Sequence, residues 1–186
     1  MLERWQRAGF IFTGVTGVLL HFLYEWTDES LFVAAFSAVN ESTWEHMKLL
    51  FVPLFVFTFI EESFMGKDYG NFMWAKAVGT VAGLLTVPFL YYTYKGALGL
   101  SADWFNIAIF FIAAAVTFIT ETRIMKRELS FPLPSAVAEV ILFALAFAFV
   151  ILTFMQPEIP LFEDPLTKGY GIPLTLHSPL SPHILF

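Results

Sequence analysis

The stretch AVAEVILFALAFAFVILTFM (residues 136–155) decides the fold class, because its one charged residue, Glu139, is followed by 16 uncharged and mostly apolar residues. About 20 apolar residues in a helix are enough to cross the ~30 Å hydrocarbon core of a bilayer. Four further segments have a comparable apolar character: residues 10–26, 49–64, 72–94 and 104–120. We therefore predict an all-α fold, a polytopic membrane helix bundle of five transmembrane helices.

The overall composition supports this prediction and narrows the chemistry. Of the 186 residues, 58% are hydrophobic and 14% are charged, whereas soluble domains have roughly 45–50% and 25%. The chain has no cysteine, which excludes thiolate catalysis, iron–sulfur clusters and cysteine zinc sites. A metal site must therefore use histidines and carboxylates. We find no nucleotide-binding, zincin or serine-hydrolase motif, and nothing indicates nucleic-acid binding.

The basic residues predict the orientation, since lysine and arginine concentrate in cytoplasmic loops. With the N-terminus inside, seven of the ten fall inside: Arg4, Arg7, Lys67, Lys76, Arg123, Lys126 and Arg127. Only Lys48, Lys95 and Lys168 fall outside, together with nine of the sixteen acids, so the outer face carries the whole net charge of −6. We expect a multi-pass protein of the cytoplasmic (inner) membrane with its C-terminus outside.

Two segments are not expected to cross. Residues 31–39 form the apolar part of the connection between the first two predicted spans. They are about half as long as a span, so this segment should be re-entrant or interfacial. Residues 157–186 contain six prolines, which excludes another spanning helix. We predict a transmembrane bundle over residues 1–156 and an external proline-rich tail over 157–186, with the first half of the tail folded over the outer mouth of the bundle.

One face of the first predicted helix carries two glycines and then two ionisable residues, Gly14, Gly17, His21 and Glu25. Residues three or four positions apart lie on the same face of a helix. The glycines admit a neighbouring helix, which His21 and Glu25 would then face. Burying a histidine within a membrane helix costs free energy unless the ring has a hydrogen-bond partner. The simplest interpretation is therefore that His21 and Glu25 are hydrogen-bonded to each other.

The stretch NESTWEHMK (residues 40–48) precedes the second predicted span. Ser42 and Glu45 have the spacing of a capping box, in which each satisfies an amide of the other's backbone. Glu41 and Glu45 also suit the positive end of the helix dipole, and Lys48 can pair with them. Helix capping therefore explains about half of the polar residues in this stretch.

Capping does not explain His46. Pro53 removes the amide that would bond to the carbonyl of Leu49, and this opening lies on the face of His46. Such openings are tolerated where they line a polar cavity. Imidazoles and carboxylates within reach of each other suit a divalent metal such as zinc, and we assign as ligands His21, His46, Glu25 and Glu45.

The other candidate site residues belong to the same outer face. Glu45 or Asp103 is assigned as a general base. Polar and aromatic side chains around the mouth are assigned to ligand binding: Glu25, Asn40, Glu41, Lys48, Tyr94, Asp164 and Tyr170. On the inner face, helix-end acids and an arginine are expected to form solvated ion pairs: Glu61, Glu62, Glu121 and Arg123.

Three stretches carry a resemblance to a known family: HFLYEW (21–26), FSAVNESTWEHMKLLFVP (36–53) and LFEDPLTKGYGI (161–172). Over about residues 5–172 the chain resembles a family of small prokaryotic integral membrane proteins known as a domain of unknown function. The resemblance implies a five-helix membrane protein and transfers no catalytic residue. It also makes the chain after Ile172 an extension outside the family's pattern.

Three functions remain open. The first is a metal-assisted hydrolase of a lipid or lipid-linked substrate, with the outward-facing His and acidic residues as its site. The second is a solute-binding or transport subunit for a small-molecule ligand, because Pro53 and Pro88 interrupt predicted spans. The third is a structural or partner-binding membrane subunit. In each case the lipid bilayer is the first partner.

Overall fold

The computed structural model describes residues 1–99 and 103–172, and within these ranges the chain contains helices and no strand. The helices are α1 (Leu2–Trp26), α2 (Leu31–Ala34), α3 (Thr43–Met65), α4 (Phe72–Leu98), α5 (Asp103–Lys126) and α6 (Ser135–Phe154). The predicted all-α class is confirmed.

Four of these helices are long and apolar enough to cross a membrane: α1, α4, α5 and α6. The prediction of five such helices is corrected at α3. The uncharged run of α3 covers only residues 49–60, between Lys48 and Glu61, and a run of about 10–14 residues is more typical of a buried core helix. Helix α3 packs against α1, α4, α5 and α6, and 14 of its 23 residues are buried.

The apolar core surrounds α3. Leu50, Leu54 and Phe57 of α3 are buried in one cluster with residues of α4 and α5, including Leu84 and Phe118. Helix α4 approaches α5 through its glycines, since a Cβ atom at Gly79 or Gly83 would lie 3.0 Å from a carbonyl oxygen of α5. The bundle therefore has α3 at its centre, with α1, α4, α5 and α6 around it.

We call the end of the bundle where α1 ends and α3 begins the histidine end. The short helix α2 lies there, and Val33 and Ala34 are buried. Ser37 follows and joins this segment to α1, because its hydroxyl donates to the carbonyl of Leu20 and accepts from the amide of Tyr24. Residues 31–39 thus remain at one end of the bundle.

The first part of the tail also lies at the histidine end. The carbonyl of Leu161 accepts from the amide of Trp44 at 3.0 Å, and the Phe162 ring packs on the Trp44 ring with centroids 4.7 Å apart. The side chain of Asn40 donates to the carbonyl of Gly171 at 2.9 Å. The rest of the predicted tail, residues 173–186, lies outside the described residues.

At the opposite end, which we call the lysine end, Lys76 of α4 pairs with two glutamates. Its Nζ forms an ion pair with Glu61 and lies 2.5 Å from Oε2 of Glu121. Gln6 donates to Glu61 Oε1 at 2.8 Å. None of the three charged side chains is more than 1% exposed. The expectation of solvated ion pairs is therefore wrong for Glu61 and Glu121, because both face a lysine inside the bundle.

Candidate metal centre

Three side chains at the histidine end converge on one point. His21, Glu41 and His46 each offer one ligand atom, and these atoms lie within 4.8 Å of one another. Nε2 of His21 is 3.6 Å from Oε1 of Glu41, and Nε2 of His46 is 3.6 Å from Oε2. The side chains are 30%, 40% and 22% exposed, respectively, so the cluster is partly buried and still accessible.

The position of Glu41 follows from where α3 begins. Ser42 is the N-cap, and its hydroxyl accepts from the amide of Glu45 at 3.3 Å. The amide of Ser42 donates to Asn40 Oδ1 at 3.0 Å, which forms a tight turn before the helix. Glu41 therefore lies in this turn, outside the helix, and its carboxylate reaches across to α1.

Helix α3 sets the orientation of the His46 ring. Nδ1 lies 2.9 Å from the carbonyl oxygen of Ser42. A carbonyl can only accept a hydrogen bond, so Nδ1 carries a proton and the neutral ring presents the Nε2 lone pair to Glu41. Two acceptors that face each other repel. A cation between them, either a second proton or a metal ion, removes this repulsion.

Close packing of α1 against α3 brings His21 to the same point. A Cβ atom at Gly17 would lie 3.1 Å from the carbonyl oxygen of Leu49, the carbonyl that Pro53 deprives of its helical partner. The missing side chain at Gly17 therefore lets α1 approach α3. Since residues four positions apart share a helix face, His21 lies one turn further along, opposite Glu41 and His46.

The cluster opens into a cavity of about 440 Å³ between α1 and α5. Most of its walls are apolar, with the three ionisable side chains at one side. The lining residues are Gly17, Val18, His21, Phe22, Glu41, His46, Leu49, Asn106, Ile107, Phe110, Phe111 and Leu166. A second cavity of about 20 Å³ lies beside it. Four residues line both cavities: Glu41, His46, Asn106 and Phe110. The candidate centre thus borders an apolar space large enough for a small molecule.

The structure places Glu45, a predicted ligand and general base, on another face of α3. Its side chain is fully buried, with Oε2 2.6 Å from Nζ of Lys48. Glu45 also accepts from the amide of Val39 and from Gln156, both at 3.2 Å. Lys48 in turn donates to Ala34 and Thr153. Lys48 therefore joins α3 to α2 and α6, and Glu45 joins it to Val39 and Gln156. Neither residue belongs to the group around the histidines.

The remaining predicted residues are also apart from the cluster. The Glu25 side chain is exposed and lies outside the group around His21, so the expected His21–Glu25 pair is replaced by His21–Glu41. Tyr94 stacks on Phe105. Asp103 begins α5, and its side chain lies outside the described part of the chain.

Two predicted residues belong to the tail. Asp164 is buried and organises a turn, because its carboxylate accepts from the amide of Leu166 and the hydroxyl of Thr167. Tyr170 is exposed. Asn40 likewise serves to join the turn before α3 to the tail.

Comparison with known proteins gives one assignment: the chain belongs to a family of unknown function, DUF6512, whose sequence model matches residues 1–172. No curated protein and no solved structure matches the chain. The match ends at Ile172, where the sequence resemblance also ends.

Proposed function

We propose that this chain is a multi-pass protein of the prokaryotic cytoplasmic membrane that binds a divalent cation between His21, Glu41 and His46. Zinc fits this site best, and the bound ion serves to hydrolyse a lipid or lipid-linked substrate. One observation carries the proposal: two imidazoles and a carboxylate converge beside an apolar cavity.

The donor set favours zinc. Two imidazole nitrogens and one carboxylate form a common protein ligand set of catalytic zinc, whereas magnesium and calcium prefer oxygen ligands. With metal–ligand bonds of about 2.0–2.1 Å, ligand atoms in a tetrahedral site lie about 3.3 Å apart. The two His–Glu separations are both 3.6 Å, to different oxygens of the carboxylate, and the three ligand atoms lie within 4.8 Å of one another. Small side-chain rotations would therefore complete the coordination.

The cavity supports a catalytic rather than a purely structural ion. Catalytic zinc sites have three protein ligands and leave a fourth position for water or substrate. His21, Glu41 and His46 all line the cavity, so the fourth position would face it. A water molecule held there would ionise near neutral pH and could attack a substrate carbonyl that the ion also polarises.

The proposed membrane arrangement places α1, α4, α5 and α6 across the bilayer. Helix α3 runs from the histidine end to the lysine end among them, and most of its residues are buried by its neighbours. The lysine end is inside, since most lysines and arginines of the sequence belong to that side. The metal centre then faces outward.

A transport function has less support. The described interior between the metal centre and the Lys76 cluster is filled by apolar side chains of one buried cluster, among them Leu50, Leu54, Phe57 and Phe118. A solute path through the bundle would require polar or mobile walls at this level. The site therefore resembles a pocket at one end of the bundle more than the middle of a pathway.

The experiment that tests the proposal is a zinc titration of purified protein after EDTA treatment. We expect one zinc ion per chain, and we expect the double variant His21→Ala/His46→Ala to lose this binding while it remains folded. His177 and His183, the other two histidines, provide the matched control, and His177→Ala/His183→Ala should retain binding. Failure of the unmodified protein to bind zinc, or equal binding by both double variants, overturns the proposal.

A further inference from the structure

We propose that the cavity beside the metal centre receives the acyl chain of a membrane lipid, which enters sideways between α1 and α5. The substrate is then an acyl ester or amide whose carbonyl group lies at His21, Glu41 and His46. The chemistry at the carbonyl rests on the proposed function, whereas the binding of the chain does not.

The walls of the cavity suit a hydrocarbon chain. Its volume of about 440 Å³ falls within the range of about 300–1,000 Å³ that is typical of small-molecule pockets. Val18, Ile107 and Phe111 contribute to its apolar walls. Burial of an alkyl chain here would remove apolar surface from water or detergent. The polar group of the lipid would meet His21, Glu41 and His46, the ionisable side chains among the described residues that line the cavity.

The cavity opens toward the bilayer. Val18 of α1 is 45% exposed and Ile107 of α5 is 59% exposed, and both helices are long and apolar enough to cross a membrane. Exposed apolar side chains on such helices face lipid. A chain can therefore move from the bilayer into the cavity without crossing water, which a soluble substrate cannot do.

The depth of the centre favours a carbonyl over a phosphate. Trp26 ends α1 and is exposed, and tryptophans at span ends lie at the level of the lipid headgroups. His21 lies five positions earlier, about 7.5 Å deeper along the helix at ~1.5 Å per residue. In an acyl lipid, the carbonyl groups lie just below the headgroup and the chain continues inward from them. The cavity extends in the same direction, toward Gly17.

The tail limits access from the aqueous side. Leu166 lines the cavity, and Asp164 fixes its position by accepting a hydrogen bond from the Leu166 amide at 2.9 Å. Leu166 is itself 77% exposed, so it narrows the aqueous side of the cavity without closing it. Entry between α1 and α5 is therefore the favoured route.

One polar group of the cavity still has a hydrogen-bonding role to fill. Oδ1 of Asn106 is buried and has no hydrogen-bond partner among the described residues, and Asn106 lines both cavities. It is placed to accept a hydrogen bond from the hydroxyl or amide part of the substrate.

In the reaction, water adds to the carbonyl carbon and the bond to the leaving oxygen or nitrogen breaks. One water proton goes to the leaving group, which gives a carboxylic acid and an alcohol or amine.

The test uses a palmitoyl glycerol probe with a photoreactive diazirine in its chain, added to the full chain in vesicles of ether-linked phosphatidylcholine. Labelled residues are mapped by mass spectrometry in metal-free and zinc-loaded protein. We expect labelling of residues 17–22 and 106–111 that unlabelled monopalmitoyl glycerol suppresses at least fivefold. The substitution Ile107→Trp, which fills the cavity, should reduce this labelling to a similar extent. Phe147→Trp on the exposed face of α6 is the matched control and should leave it unchanged.

Labelling that is uniform around the bundle, or equally strong in both tryptophan variants, overturns the acyl-chain cavity. The carbonyl assignment is overturned if an alkyl phosphate suppresses labelling of the zinc-loaded protein as strongly as monopalmitoyl glycerol does. Since the metal-free protein is also measured, saturable labelling without zinc binding would refute the metal centre and leave the cavity assignment intact.

Discussion

Nε2 of His21 and Oε1 of Glu41 lie 3.6 Å apart, which joins the last turns of α1 to the turn that precedes α3. The other oxygen of the same carboxylate lies 3.6 Å from Nε2 of His46. Glu41 is therefore the centre of the cluster, and both histidine contacts depend on it.

The substitution Glu41→Gln tests this geometry most directly. It keeps the shape of the side chain and removes the negative charge, so we expect zinc affinity to fall by at least about 100-fold. That is the upper end of what is lost when only a hydrogen-bond partner of a ligand is removed. Calorimetric zinc titration measures the change. Glu25→Gln is the matched control, because Glu25 is exposed and outside the cluster. Similar affinities of the two variants would show that Glu41 is not a ligand.

The sequence could have indicated Glu41 as part of the cluster. The pattern Ser42-x-x-Glu45 predicts that Ser42 is the N-cap, and the structure has it so. The residue before an N-cap lies outside the helix, so the rule of 100° per residue does not apply to Glu41. The predicted metal ligands Glu25 and Glu45 instead lie within helices, and this choice leaves out Glu41, the carboxylate that lies beside the histidines.

Other features could not be read from single segments. The helices themselves follow from composition, because each apolar run must satisfy its backbone internally within a bilayer. The burial of Glu61 and Glu121 depends on Lys76, which belongs to a third helix. Nothing within one segment specifies which residue of another helix lies beside it, so the sequence predicted exposed ion pairs there.

Gly17→Ala should disturb the packing that supports the metal centre. A Cβ atom at this position would overlap the Phe110 ring, with its Cζ only 2.5 Å away, and would lie 3.1 Å from the Leu49 carbonyl oxygen. We expect a loss of about 1–3 kcal/mol in the free energy of unfolding, together with weaker zinc binding. Reversible unfolding in mixed detergent micelles measures the first effect.

The matched control for this substitution is Gly96→Ala, since a Cβ atom at Gly96 of α4 would meet nothing within 4 Å. Alanine in a helix is favoured over glycine by about 1 kcal/mol, so this variant should be unchanged or slightly more stable. A Gly17→Ala protein as stable as the Gly96→Ala protein would contradict the close approach of α1 to α3.

Glu45→Gln should affect stability rather than metal binding. Lys48 would keep its charge in a fully buried position without its counter-ion, a change that costs about 3–5 kcal/mol when one partner of a buried pair is removed. The double variant Glu45→Gln/Lys48→Met should recover much of this loss. Zinc affinity, measured at a temperature where the variants are folded, should be unchanged. A stable Glu45→Gln protein that has lost its zinc would instead restore Glu45 as a ligand.

Lys76→Met should destabilise the protein more than any comparable substitution of a surface lysine. The change removes the only cation that pairs with Glu61 and Glu121 within the described residues and leaves two buried carboxylates close together. Removal of one partner from a buried ion pair costs about 3–5 kcal/mol.

Lys126→Met is the matched control, because Lys126 pairs with Glu3 at 2.6 Å on the surface, where the two side chains are 51% and 60% exposed. An exposed pair contributes about 0–1 kcal/mol, so this variant should unfold almost like the unmodified protein. Unfolding of both variants in the same detergent gives the difference directly, and equal stabilities would mean that Lys76 and its glutamates are hydrated rather than buried inside the bundle.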